Sequence, residues 1–523
     1  MKAFLMYRDR DFGPEDSPAP NAADLTQDLE LNTLFAAMAC DDIFLLETAK
    51  KAVLASLDDP QTILYRQRIL ADCLINQPDV VRQIYDIAVE AIEREKKVWP
   101  WTSGRYPRGL LYRAVEVLQV FLELLKRLRG IADEHAAKFS SEGFRRFFAM
   151  IAKELDDSYL RTVEDDLERL KFRGGILMTA ALGKGNKGSD YTLRRPPEIP
   201  QRWVERFQEW VGNLTRGNGS SYVYEVSDRD EAGHTALSEL QDRGICSVAA
   251  ALGQSAEHIL SFFNMLRLEL GFYVGCLNLR DQLMRKREPI CLPEALPIGT
   301  TRFSAQGLYD PCLALTVEGR VVANDVTGDD KVLAMITGAN RGGKSTFLRS
   351  VGLAQVMMQC GMFVAARSFR ANVCTGIFTH FKREEDISMR SGKLDEELSR
   401  MSFIVDNVTP GGIILFNESF ASTNEREGSE IARQIVQALL KTRIKVFYVT
   451  HMFDLAQGLY LSGMDNALFL RAERLPDGQR TFRLIGGKPL PTSHGEDLYR
   501  QIFGAGRDSS AEAGASDRGG KLP

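Results

Sequence analysis

Residues 337–349 read TGANRGGKSTFLR, with Gly338, Gly343, Lys344 and Ser345 at the spacing that cradles a phosphate chain. Glycines let such a loop curl until successive backbone N–H groups face one anion. Lys344 supplies a point charge for the outer phosphates, and the Ser345 hydroxyl is the expected magnesium ligand. The helix that opens there turns its positive end toward the same phosphates. The nucleotide-binding set is therefore Gly338, Ala339, Asn340, Arg341, Gly342, Gly343, Lys344, Ser345 and Thr346.

Two further stretches carry chemistry of the same kind. Residues 413–419, IILFNES, read as an apolar strand ending in polar groups. Phosphate-transferring sites place a carboxylate at such a strand end to hold magnesium, and often a glutamate beside it to activate water. Glu418 fits the second role, while Asn417 stands in the first. An amide oxygen accepts a metal-bound water but brings no negative charge, so magnesium is expected to bind more weakly. Residues 447–451, FYVTH, read as another strand with a polar end, where His451 could sense the terminal phosphate, position water, or serve as a structural histidine at a strand end.

These groups need a sheet to hold them. Residues 332–336, VLAMI, read as the buried strand feeding the phosphate loop, and residues 347–360 have helical spacing up to Gly361. Residues 300–500 alternate strands and helices. The 523 residues suggest about three domains. A hydrophobic share of 44% and a charged share of 26% describe a globular chain. The net charge of −4 rules out a polycation, so any nucleic-acid contact must be local. The eight cysteines include no CxxC pair and read as reduced core residues, which favours a cytoplasmic protein. No apolar run approaches the length of a membrane span, and the first residues are too short for a signal peptide, so no membrane partner is expected.

The expected organisation is a polar leader over residues 1–24 and a helical body over 25–170. A basic, partly β insertion over 171–235 follows, then a returning helix within 236–290. The nucleotide domain covers 291–505, and a disordered tail covers 506–523. Leu29, Leu34, Phe35 and Met38, and later Leu111, Val115, Leu118, Leu122 and Leu125, recur at helical spacing. The returning helix is predicted over 255–287 from Leu260, Phe263, Leu266, Leu270, Tyr273 and Leu277. Short strands are predicted around residues 174–180, 191–194 and 222–226. The insertion is rich in Lys and Arg, and Lys184, Lys187, Arg194 and Arg195 are the predicted phosphate-backbone contacts of DNA.

The order TGANRGGKST, IILFNES with FASTNEREG, and FYVTHMFDL resembles the MutS mismatch-repair ATPase family. Residues 321–325, VVAND, are similar to that family's approach to the phosphate loop, and residues 62–70, TILYRQRIL, to its lever region. The resemblance implies an α/β P-loop NTPase domain of the ABC and MutS type joined to a mainly helical core and lever, with the small basic insertion. It implies ATP and Mg2+ as cofactors, ATP hydrolysis with Glu418 and His451 as catalytic residues, and Ser345 and Asn417 at the metal. It also implies a homodimer in which Ser422 and Thr423 face the partner's nucleotide, and DNA as a partner. Asn417 departs from the family's aspartate and Arg341 from its usual methionine. The expected function is a dimeric ATP-gated clamp or lever on DNA that is not a simple mismatch reader. The alternative is a nucleotide-gated switch for protein partners with weak ATPase activity.

Overall fold

The structure is a computed structural model that describes residues 1–13, 18–76, 78–98, 107–173, 175–184, 188–194, 226–227, 229–383, 392–476 and 478–491. The chain divides into two compact units. One consists of Met1–Ala3, Gln83–Ala136 and Phe148–Arg267, the other of Phe4–Arg82, Ala137–Phe147 and Leu268–Pro523.

The first unit is mainly helical. Pro107–His135 buries Leu111, Val115, Leu118, Leu122 and Leu125 along one stripe, as their spacing predicts. Phe121 on that helix meets Phe263 with ring centroids 5.5 Å apart. The same unit carries a small antiparallel hairpin, β1 (Met178–Leu182) and β2 (Gly188–Leu193). The strand expected near residues 222–226 falls outside the described residues, except for Val226, which is not in a strand.

The long helix runs Glu231–Arg285 and so begins well before the predicted Ser255. The signal for its first turns is a cap rather than a stripe, since Asp230 accepts from the Gly233 N–H at 2.9 Å. Leu237 and Leu240 stay exposed there, which is why periodicity does not reveal it. By length and composition this helix is apolar enough to cross a membrane, and 61% of its apolar window is buried within the protein.

Among the described residues the second unit holds ten strands, β3 (Glu294–Leu296), β4 (Phe303–Leu308), β5 (Asn324–Thr327), β6 (Leu333–Thr337), β7 (Ser368–Asn372), β8 (Ile377–Phe381), β9 (Ile413–Asn417), β10 (Lys445–Val449), β11 (Ala467–Arg474) and β12 (Arg480–Gly486). Six of them form a sheet in the order β12-β11-β6-β10-β9-β8, parallel from β11 to β8, with β12 antiparallel at one edge. A smaller sheet has the order β3-β7-β4-β5. Every residue of β6, β8 and β10 is buried, as in parallel strands covered on both faces. The apolar runs of β6 and β10 lack the alternation of a half-exposed strand for the same reason. The fold class is thus a mixed α/β P-loop domain in a chain with many helices.

Part of the chain ahead of the first helix is packed. Leu5, Met6 and Phe12 are fully buried. Their backbone is satisfied from a distance: Glu269 accepts from Leu5 N at 2.6 Å and Phe12 N at 3.2 Å. Tyr273 Oη donates to the Leu5 carbonyl at 2.5 Å, and the buried Arg66 donates from Nε to the Met6 carbonyl at 2.9 Å. Local composition carries no trace of partners so remote in sequence.

Burial pushes the Glu269 carboxyl from its ordinary 4.5 up to about 7, against the pull of the Leu5 and Phe12 N–H groups. The folded state therefore binds this proton more tightly than the unfolded chain. The stability it contributes is full below about 4.5 and is lost as the pH rises through about 7. Between pH 5 and pH 8 the unmodified protein should lose roughly 2–3 kcal/mol relative to Glu269→Gln. Denaturant titrations of both forms at the two pH values measure this, and a constant difference would refute it.

Candidate nucleotide site

The site lies at the C-terminal ends of β6, β9 and β10, where open parallel sheets bind ligands. The loop after β6 curls as its glycines allow. Gly338 has φ +111°, and a Cβ there would lie 2.8 Å from the Ala472 nitrogen on β11. Gly343 at φ +88° turns the chain into the helix Lys344–Gln359, which starts three residues before the predicted 347. Arg341 adopts a left-handed φ of +58°, uncommon for a residue with a side chain. Asn340 through Thr346 line a cavity of about 370 Å³ together with Glu418 and His451. Gly338 and Ala339 form the floor of the loop through their carbonyls, which accept from Lys344 Nζ at 3.0 and 3.1 Å. Lys344 is buried, and burial lowers its proton affinity, with Arg480 adding to the effect and Glu418 opposing it.

The end of β9 meets the start of the helix Lys344–Gln359 through side chains. Ser345 Oγ donates to Asn417 Oδ1 at 2.9 Å. Two neutral oxygens thus stand together where a hard cation would be held, a donor set that suits magnesium through oxygen ligands or their waters. Among the described residues no cluster of three or more His, Cys, Asp or Glu could hold a metal by itself. Magnesium would therefore take most of its ligands from phosphate and water.

Glu418 follows with φ +54°. Its N–H donates to the Val449 carbonyl at 2.9 Å, and its carboxylate lies 3.7 Å from His451 Nδ1, beyond a formed hydrogen bond. The neighbouring His451 imidazole holds the Glu418 carboxyl below the usual glutamate range, Lys344 and Lys382 acting in the same direction and burial opposing them. The carboxylate is therefore anionic at neutral pH.

Ser422 and Thr423 lie in the turn that leads to the helix Glu425–Lys441. Asn424 caps that helix by accepting from Glu427 N at 2.9 Å, and Thr423 Oγ1 donates to the Glu427 carboxylate at 2.5 Å. They are set apart from the cavity of their own chain.

A second cavity of about 510 Å³ adjoins the loop and shares Arg341, Gly343 and Thr346 with the first. Leu308, Val317, Val321, Val322 and Phe482 give it apolar walls. The sequence pattern does not mark this cavity. Its apolar walls come from separated segments outside the phosphate loop, and only the likeness of residues 321–325 to a known approach segment points there.

Of the predicted DNA contacts, Lys184 and Arg194 are exposed on the β1–β2 hairpin, while Lys187 and Arg195 lie outside the described residues. Arg194 Nε donates to Thr179 Oγ1 at 2.9 Å across the hairpin. Lys171 and Arg173 nearby are paired with Glu168.

A phosphate loop ending β6, one intervening strand, and a polar pair ending β9 define a P-loop nucleotide-binding protein. Comparison with known proteins narrows the class. A family model for the MutS2 N-terminal domain matches residues 58–286, and one for MutS domain V matches residues 334–473. The chain belongs to the MutS family. It is 30% identical over 244 residues to a DNA mismatch repair protein MutS of Leptospira interrogans, covering 43% of this chain and 28% of that protein. It is 25% identical over 450 residues to the MutS of Porphyromonas gingivalis, covering 76% of this chain and 48% of that protein. An Endonuclease MutS2 of Streptococcus equi is 34% identical over 186 residues, 35% of this chain and 23% of that protein. The chain thus spans less than half the length of each of these relatives.

Proposed function

We propose that this protein binds and hydrolyses ATP with magnesium and uses the nucleotide state to control its hold on DNA as a dimeric clamp or lever, without being a simple mismatch reader. The observation that carries the catalytic part is the cavity lined by Ser345, Glu418 and His451, with Ser345 bonded to Asn417 at the end of β9. The phosphates lie along the N–H groups of residues 339–345, and Lys344 exchanges the Gly338 and Ala339 carbonyls for phosphate oxygens. The apolar cavity beside the loop is wide enough for the base, with Phe482 and Val321 among its walls. Ser345 and Asn417 would hold magnesium, which supplies charge neutralisation at the phosphates when bound. Glu418 orients the attacking water through an ionised carboxylate, and His451 steadies that charge. Ser422 and Thr423, away from their own cavity, suit a role at the nucleotide of a second copy. The exposed Lys184 and Arg194 support the DNA assignment.

Glu418→Gln should retain ATP binding and slow hydrolysis by about a hundredfold, the usual contribution of a positioned base. Steady-state turnover alongside equilibrium nucleotide binding measures it, and undiminished turnover would remove Glu418 from the mechanism.

Asn417→Asp should lower the half-saturating magnesium concentration for turnover by about tenfold, the effect of one added charge next to a cation. A magnesium titration of both forms reads this directly. An unchanged midpoint would place Asn417 away from the ion.

The DNA assignment is tested with duplex, mismatched, branched and single-stranded DNA, with and without ATP, across a salt series. Replacing Lys184, Lys187, Arg194 and Arg195 by Glu should weaken binding. The log–log salt slope should fall by about 0.9 for each duplex phosphate that the variant no longer neutralises. Equal binding and slope in the variant would favour the switch for protein partners.

A further inference from the structure

Behind Glu418, on the side away from the cavity, lies a buried polar group that the proposed mechanism does not use. Ser419 is fully buried, and its hydroxyl oxygen lies 2.7 Å from Nδ1 and 2.5 Å from the carbonyl of His380. Both are acceptors in the tautomer the site imposes. His380 Nε2 is 2.9 Å from the Glu397 carbonyl, which can only accept, so the ring proton sits on Nε2 and Nδ1 offers a lone pair. The single Ser419 proton is therefore held by His380 whichever acceptor it takes. The Ser419 carbonyl is held as well, accepting from Tyr448 Oη at 2.9 Å.

The residues on either side of Ser419 are strained. Glu418 has φ +54° and Phe420 φ +62°, in the region that side chains disfavour. Each such residue costs on the order of 1 kcal/mol or more and persists only where its surroundings hold it. Here the holders are visible. His380 stacks on Phe420 with centroids 5.1 Å apart, and β8–β9 pairing sets His380 opposite Phe416, which stacks on Tyr448 at 4.9 Å. Glu418 is fixed on its N-terminal side by its N–H bond to Val449 and on its C-terminal side by the clamped Ser419.

We propose that Ser419, clamped by His380 and Tyr448, is a positioning residue that aims the Glu418 carboxylate at the water it orients in ATP hydrolysis. This rests on the hydrolytic reading of Glu418 given above. With the clamp released, the turn relaxes toward ordinary φ values and the carboxylate swings off its line. Nucleotide contacts made by residues 340–346 are untouched.

The test measures single-turnover hydrolysis and ATP affinity for Ser419→Ala and Tyr448→Phe in the full chain, each with Glu418 intact and with Glu418→Gln. With Glu418 present, Ser419→Ala should slow hydrolysis about tenfold and the isosteric Tyr448→Phe about threefold, as expected for misplacing a reacting group, with KM and ATP affinity unchanged. In the Glu418→Gln background neither should slow the reaction further, because the group being aimed is gone. Equal losses in both backgrounds, or undiminished rates with Glu418 present, would overturn the proposal. A slowed Glu418→Gln with undiminished Ser419→Ala and Tyr448→Phe would sink the clamp alone. An undiminished Glu418→Gln would sink the hydrolytic reading and the clamp with it. Should Ser419→Ala fail to fold, Tyr448→Phe decides.

Discussion

Everything at this site depends on the backbone ladder that seats β10 between β6 and β9. Val449 is paired with Ile336 on one side and with Asn417 on the other. Thr450 N then donates to the Ile336 carbonyl and Glu418 N to the Val449 carbonyl. That register brings three chain segments, far apart in sequence, to one level. A slip of a single residue would turn Asn417 to the opposite face of the sheet and remove it from Ser345. The buried faces forbid the slip, because β10 carries only apolar or aromatic side chains between Lys445 and its end, and all are enclosed. Hydrophobic burial thus sets the position of polar groups that contribute little to stability themselves.

The turn after β9 shows the converse relation, in which polar contacts hold a backbone that burial alone would not. Two side-chain-bearing residues take left-handed conformations within three positions. A glycine would take such a conformation with less strain. Glycine is used nearby where space decides the matter. At Gly428 an added Cβ would lie 2.3 Å from the Phe420 carbonyl, so the helix Glu425–Lys441 approaches the turn more closely than any other residue would permit. The strained side and the crowded side of the turn are parts of one arrangement that fixes both Glu418 and the turn bearing Ser422 and Thr423 ahead of the helix.

Much of this is legible in the sequence, and the reasons for the remainder are physical. The phosphate loop and the strand ends at Asn417 and Thr450 are short-range patterns, and glycine positions and apolar runs locate them within a residue or two. Arg341 and Glu418 at positive φ are not legible, since nothing in their side chains demands it. The burial of Leu5, Met6 and Phe12 within the polar leader is not legible because their partners, Glu269, Tyr273 and Arg66, lie far along the chain. The start of the long helix escapes periodicity where capping by Asp230 replaces an apolar stripe. His380 and Ser419 carry no motif, and only the β8–β9 register brings them together.

The electrostatics of the strand end follow from one substitution read in the sequence. Two adjacent carboxylates at Asn417 and Glu418 would each raise the other's proton affinity. With an amide in the first position, Glu418 faces His451, Lys344 and Lys382, which lower its proton affinity. On the proposed reading it is then a dependable anion and a weak base. A weak base takes little of the water's proton before the phosphoryl group has moved, which suits the loose transition state of phosphoryl transfer, where positioning contributes more than proton abstraction. On the same reading, the neutral Asn417 would weaken the hold on magnesium for the same reason that it leaves Glu418 ionised. An aspartate would tighten the cation and raise its neighbour's proton affinity together, so the two properties cannot be tuned separately at this strand end.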